Sequence, residues 1–284
     1  WTGTTSNNWN VASNWSCGVP GAGSVVVIPS GGTQPRVRNG TSALCSTITI
    51  NPGATLRINS GGLLTTSGAM INSGTVNIID GGSLTISGDL TNSGTLIINS
   101  SVASSGSLIV EGISTDDVTY VRQMRAEDNY GNRHFFSSPV AGQDVSAFLA
   151  ANTNVSQIWA YEETDASWPT VSSGNFVSGK GYNLRQTSGS AGSFTFTGSV
   201  VTSVSIATTS PYLSGYTDRS SPAAYGVGNE TAPIWAPGRS WTDYGAGGWN
   251  MLGNPFTSAL DAPAFISVNS GKFDPYYQAL YIYD

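Results

Sequence analysis

Apolar and small polar residues alternate through residues 61–100, and the alternation repeats. The segment divides into two lines of twenty, GGLLTTSGAMINSGTVNIID and GGSLTISGDLTNSGTLIINS, identical at eleven positions. Leu64 and Leu84, Asn72 and Asn92, and Ile78 and Ile98 are equivalent, and Met70/Leu90 and Val76/Leu96 keep apolar character. A fixed period of this length marks a solenoid. Within a line, Leu84 and Ile86, then Leu96 and Ile98, alternate with polar neighbours, the period of a strand with one apolar face. Ser-Gly and Gly-Gly pairs between the strands are corners, where glycine takes positive φ cheaply. The period contains no helical segment, which excludes a leucine-rich repeat. The pattern predicts a parallel β-helix, right-handed by expectation, with Leu64 on Leu84 and Asn72 on Asn92, about 4.8 Å apart along the axis.

The repeat extends to both sides. Residues 24–28 predict a first strand, and 47–50 with 55–58 an irregular early coil in which Leu44, Leu56 and Ile58 share the register of Leu64, Val76 and Ile78. Beyond Ser100, Ser105-Gly-Ser-Leu-Ile-Val110 matches Ser93-Gly-Thr-Leu-Ile-Ile98 at a spacing of twelve, which predicts a shortened last coil and a β-helix over 24–112. Residues 1–23 place Trp1, Trp9 and Trp15 among Asn, Ser and Gly. An open solenoid end exposes core and invites edge pairing, so these rings read as a cap. A sugar-stacking surface is the alternative.

From Thr119 the texture changes. Residues 113–118 are expected to be a linker, and 119–284 a β-sandwich, so that the whole is all-β. Candidate strands are 119–124, 134–137, 157–161, 181–185, 193–197 and 203–207, with one helix at 145–151 capped by Asp144. A weaker repeat relates His134-Phe-Phe-Ser-Ser-Pro139-Val140 to Trp249-Asn-Met-Leu-Gly-Asn-Pro255-Phe256, each followed by Ala-Phe (Ala147-Phe148, Ala264-Phe265) and an aromatic strand. The partial second copy at 249–284 implies a longer protein, or strands supplied by a partner. An aromatic-rich insertion at 211–248 separates the copies.

Charge and cysteine narrow the compartment and partners. The 284 residues carry a net charge of −6 and only two lysines, so no basic stripe offers phosphate contacts and nucleic acid is not an expected partner. No apolar run reaches membrane-spanning length. The start at Trp1 reads as a mature N-terminus of an exported protein. Cys17 and Cys45 lack metal-type spacing, and a disulfide tying the N-terminal segment to the first coil is expected, with two free buried thiols as the alternative.

The search for chemistry finds little. His134 sits in an apolar strand, where a packed or partly exposed structural role is expected. Outward charges in the repeat, Arg57, Asp80, Asp89 and Glu111, stand alone and do not recur at twenty residues, so no paired carboxylates converge on a groove. No nucleotide-binding fingerprint occurs. No cofactor is expected apart from calcium, for which Asp116, Asp117, Glu127 and Asp128 are candidate oxygen donors. Tyr212, Tyr216, Tyr225, Trp235, Trp241 and Tyr244 in the long insertion are candidate ligand-binding residues suited to stacking on a glycan, against a plain packing role.

Trp1-Thr-Gly…Asn14-Trp15, the Gly-Xaa-Leu-Thr-Ile solenoid, Ser137-Ser-Pro-Val140, Gly179-Lys-Gly-Tyr182 and Gly248-Trp-Asn-Met-Leu-Gly-Asn-Pro-Phe256 together resemble large secreted cell-surface β-helix proteins of Bacteroidetes-type bacteria, exported by the type IX secretion system. The resemblance implies an extracellular, cell-surface location and an architecture rather than an activity. Such proteins often carry a C-terminal sorting domain, which these residues do not display. The expectation is a non-enzymatic adhesin, spacer or assembly subunit with a cell-surface or glycan partner, or a homo-oligomer or filament. The alternatives are a carbohydrate-binding module or an ancillary region of a secreted polysaccharide-degrading enzyme.

Overall fold

The computed structural model describes residues 1–124, 132–162, 167–187, 192–208, 250–273 and 280. Twelve strands run in sets of three per coil: β1 (Val25–Ile28), β2 (Arg36–Val37) and β3 (Ser42–Cys45); β4 (Thr47–Ile50), β5 (Thr55–Ile58) and β6 (Leu63–Thr66); β7 (Met70–Asn72), β8 (Thr75–Ile78) and β9 (Ser83–Ile86); β10 (Leu90–Asn92), β11 (Thr95–Asn99) and β12 (Ser107–Val110). Equivalent strands stack in parallel, β1-β4-β7-β10, β2-β5-β8-β11 and β3-β6-β9-β12. The result is a β-solenoid of about five turns.

Alternation decides which side chains enter the coil, and the period decides what they meet. Leu64 pairs with Leu84 and Leu84 with Leu108, while Ile58, Ile78, Ile98 and Tyr120 form another inward column. Leu56, Ile58, Val76, Ile78 and Leu84 are fully buried. Burying each such side chain contributes roughly 1.5–3 kcal/mol. The corners at Gly61 and Gly81 have φ of 70° and 74°, a region that side chains with a Cβ rarely adopt. At Gly94 the constraint is space, since a Cβ would lie 2.2 Å from the Gly74 carbonyl oxygen.

Two register expectations are corrected. Residues 107–110 stack on β9, twenty-four residues back, not on β11. The coil is therefore lengthened, because the turn of residues 101–104, closed by Ser101 N to Ser104 O at 2.8 Å, absorbs four extra residues. In the early coils Ala43, not Leu44, pairs with Leu64, and Leu44 faces solvent. That coil is twenty-one residues long, so the one-residue offset turns Leu44 outward.

Both ends of the solenoid are covered. At the first coil, residues 7–9 run beside β2: Arg36 N donates to Asn7 O at 2.7 Å and Trp9 N to Arg36 O at 3.1 Å. Trp9 is fully buried, and Trp15 sits edge-on to both Trp9 and Trp1, at 4.6 and 4.8 Å between centroids. The Trp15 indole donates to Trp9 O at 2.7 Å, and buried Asn14 ties Thr5, Ser6 and Asn8 together through its amide. At the other end Leu108 N donates to Thr257 O and the Thr257 hydroxyl returns a bond to Leu108 O.

The expected disulfide does not form: Cys17 and Cys45 are free thiols. Cys45 points inward from β3, paired with Thr66, while Cys17 lies exposed in the N-terminal segment. Its place in the inward column keeps Cys45 facing the core.

Beyond the coils the second sheet continues without interruption. β13 (Asp117–Met124) pairs in parallel with β11. Then come β14 (Arg133–Phe136), β15 (Val140–Ala141), helix α1 (Val145–Ala151), β16 (Val155–Ala160), β17 (Tyr182–Gln186), β18 (Gly192–Val200) and helix α2 (Ala262–Val268). β18 adds antiparallel to β13 along eight residues, and β15 to β18, extending one sheet to seven strands. β14, β17 and β16 form a separate antiparallel sheet. Phe136, Phe148, Phe176, Tyr182, Phe194 and Phe196 make one ring cluster contributed by both sheets and α1. The expected strand at 203–207 is not one. Ile206 lies against Gly179 instead, so that segment is held by side-chain packing rather than by a ladder. The expected aromatic strand near residue 283 lies outside the described residues.

The weaker repeat is structural. Asp144 caps α1 by accepting from Ala147 N, and Asp261 caps α2 by accepting from Ala264 N. At the far ends Asn152 Nδ2 donates to Phe148 O and Asn269 Nδ2 to Phe265 O, both at 2.8 Å. α1 buries Val145 and Phe148 in the ring cluster, whereas α2 buries none of its residues.

Candidate functional site

Several sequence candidates are not brought together. Tyr212, Tyr216, Tyr225, Trp235, Trp241, Tyr244, Glu127 and Asp128 lie outside the described residues. Asp116 and Asp117 part company: Asp116 Oδ2 accepts from Asn92 N at 2.6 Å, while Asp117 opens β13 opposite Ser199. Asp116 instead shares a hollow with Asp89, whose Oδ1 accepts from Ile113 N at 2.8 Å. Among the described residues no three His, Cys, Asp or Glu side chains gather as metal ligands. His134 is buried, with Nε2 2.9 Å from Gln186 Oε1 and its ring edge-on to Phe194.

The coil surface is where pattern and charge diverge. Outward positions of the first sheet are Val25, Val27, Thr47, Thr49, Ile71 and Thr91, and those of the third are Ser42, Leu44, Leu63, Thr65, Ser83, Thr85, Ser107 and Ile109. Neither face carries a charge. The second sheet does, and there Arg57 is not isolated: it pairs with Arg36 on the preceding coil. The sequence signal was available, but the interval is twenty-one residues, set by the longer early coil.

A second surface lies on the outer side of the three-stranded sheet. Phe135 and Trp159 flank Asn183 as its strand partners. Antiparallel pairing of residues 158–162 with 167–171 sets Trp168 beside them, 5.0 Å from Tyr161 and 6.2 Å from Phe135 between ring centroids. Trp168 is 41% exposed. The Arg133 guanidinium stacks 4.5 Å over the Trp159 ring. The Asn183 amide oxygen, buried among these residues, has no hydrogen-bond partner, a condition that costs free energy unless a donor arrives. Half-exposed rings of this kind suit the apolar face of a sugar. Sequence reasoning placed its ring platform in the insertion and missed this one, because these aromatics are far apart in sequence and meet only across strands.

Three short motifs outside the coils come together. Gly181 N donates to Met251 O and Gly253 N to Gly179 O, which lays Gly179-Lys-Gly against Met251-Leu-Gly. A Cβ at Gly253 would come 2.3 Å from the Ser137 Cβ, so Ser137-Ser-Pro-Val140 closes on the same point. Lys180 pairs with Glu162 at 2.5 Å. The Tyr182 hydroxyl accepts from Val177 N at 2.8 Å, and burial pushes its phenol pKa up despite that bond. Among the described residues no helix is long and apolar enough to cross a membrane.

No curated protein and no solved structure matches the chain. One family model does, over residues 1–284, and the chain belongs to that family, described as a domain of unknown function, DUF8693.

Proposed function

We propose that the protein is a non-enzymatic extracellular surface protein, an adhesin in which a stiff solenoid carries an interaction face. The seven-stranded sheet supports this reading. It runs from β2 through the coils to β13, β18 and β15, so the ladder that stiffens the solenoid also forms a wall of the ring-lined core. On this reading the two sheets around the ring cluster are a small β-sandwich grown from the solenoid's end. Location at the cell surface, and export by the type IX route, belong to the same proposal. Pulling single molecules from residue 1 and residue 208 tests it: one cooperative rupture is expected, and separate ruptures for residues 1–112 and 119–208 overturn it.

A second reading, carbohydrate binding, is favoured by the neighbouring rings Phe135, Tyr161 and Trp168, with Trp168 exposed. A glycan array probed with the whole chain and with Trp168→Ala checks it. Binding that disappears in the variant supports it, and binding equal in both removes this surface from consideration.

A further inference from the structure

Arg36 and Arg57 are partners across the parallel pair β2–β5, so two guanidinium side chains leave the same face of adjacent rungs. Like charges directly opposite one another destabilise a sheet. Two other arginines are relieved: Arg38, beside β2, donates to Asn7 Oδ1, and Arg122, on β13 at the far end of the sheet, to the Ser105 hydroxyl. Arg57 Nε, by contrast, is buried and makes no hydrogen bond. The described residues' one ion pair, Lys180–Glu162, lies elsewhere.

Both arginines line a hollow of about 250 Å³ with Asn7, Gln34, Thr55 and Asn77. No carboxylate lines it. Its amide oxygens are already used: Asn7 Oδ1 accepts from Arg38, Asn77 Oδ1 from Asn99 Nδ2 at 2.7 Å, and Gln34 Oε1 from Thr55 N at 2.7 Å. Gln34 Nε2 is spent on Pro29 O and Gly31 O. What the lining residues have left to offer is mostly donors: two guanidinium forks, the amide nitrogens of Asn7 and Asn77, and the Thr55 hydroxyl, which can donate or accept. In a chain of net charge −6 this is a local reversal of sign. Guanidinium forks bind sulfate and phosphate oxygens through paired N–H donors. Two forks one rung apart reach different oxygens of a tetrahedral group, which offers more acceptor oxygens, and more negative charge when doubly ionised, than a carboxylate.

We propose that this hollow binds a tetrahedral oxyanion, a sulfate or phosphate group, clamped between Arg36 and Arg57. The site is separate from the ring surface and stands whether or not that surface binds glycan.

The test is an NMR titration of the whole chain with sodium sulfate, sodium phosphate and sodium acetate, at ionic strength held constant with sodium chloride. Sulfate or phosphate is expected to shift the Arg57 Nε–H signal saturably, and acetate is not. Arg36→Gln and Arg57→Gln are each expected to weaken binding about tenfold or more, from the loss of charged hydrogen bonds, with Arg122→Gln, outside the hollow, unchanged. Without anion, Arg57→Gln is expected to unfold at the same temperature as the parent or higher, because a like-charge contact is removed. A purely structural arginine would give a lower one. Dextran sulfate binding more tightly than free sulfate identifies an ester on a polymer as the source, and equal affinity identifies the free ion. Shifts that match chloride, or unchanged binding in both glutamine variants, overturn the proposal.

Discussion

Asn72 Nδ2 donates to Asn92 Oδ1 across 2.7 Å, one rung apart, inside a largely apolar core. Ile28 and Ile50 occupy the same column in the first two coils. The change from isoleucine to asparagine marks where the column meets polar backbone. Asn72 also reaches Thr95 O and accepts from Gly74 N, and Asn92 Nδ2 donates to Asp117 O. The pair thus ties the corners, and the start of β13, to the coil.

Asn92→Ala leaves Asn72 and the Asp117 carbonyl short of partners and opens a small void. A loss of about 2–3 kcal/mol is expected, read as a lower urea midpoint. The double variant Asn72→Leu/Asn92→Leu is expected to lose less than the sum of its singles, because both ends of the bond go together.

Trp15→Ala removes the ring between Trp1 and Trp9 together with its bond to Trp9 O. A cost of about 3–5 kcal/mol is expected, with concentration-dependent association in size-exclusion chromatography as the edge of β2 is uncovered.

The two thiols should behave oppositely. Exposed Cys17 is expected to react with a thiol reagent in the native protein at pH 8, and Cys45 only after unfolding. Burial raises the Cys45 pKa from 9.0 to about 12. The folded state therefore holds the proton more tightly than the unfolded chain, so this contribution to stability is complete below about pH 9 and is lost as pH rises towards 12. Thermal unfolding from pH 8 to 11 checks the sign, and Cys45→Ala should flatten the slope. Equal reactivity of both thiols in the native state would contradict the inward column.

The matched caps give an internal control. Asp144 is held below the usual carboxylate range by the Ala147 N–H it accepts, aided by Ser146. Its contribution is present above the unfolded carboxylate pKa and fades as pH falls through the lower folded value. Asp144→Ala is expected to lower the unfolding temperature at pH 7. Asp261→Ala is expected to leave it nearly unchanged, because α2 buries no side chain and its fraying is local. Differential scanning calorimetry of the two variants makes the comparison.

The coils were legible because a solenoid is a local code. Each residue in 61–100 meets its equivalent one period away, so Leu64 on Leu84 and Asn72 on Asn92 followed from alternation and spacing alone. So did helix α1 and its Asp144 cap, which depend on nearest neighbours. The errors arose where the period changed. Leu44 turned outward because its coil is one residue longer, and residues 107–110 stack on β9 because a turn absorbed four more.

The sequence by itself therefore determined the coil strands and inward columns of residues 61–100 and helix α1 with its Asp144 cap, all products of short-range sterics and a repeating apolar face. Tertiary structure alone decided that β13 joins the solenoid's sheet, that Cys45 faces the core away from Cys17, that Phe135, Trp168 and Asn183 meet, and that Arg36 stands beside Arg57. Those contacts close between segments whose separation follows no period. They depend on loop lengths and on the burial gained when two distant faces meet, which local pattern does not carry.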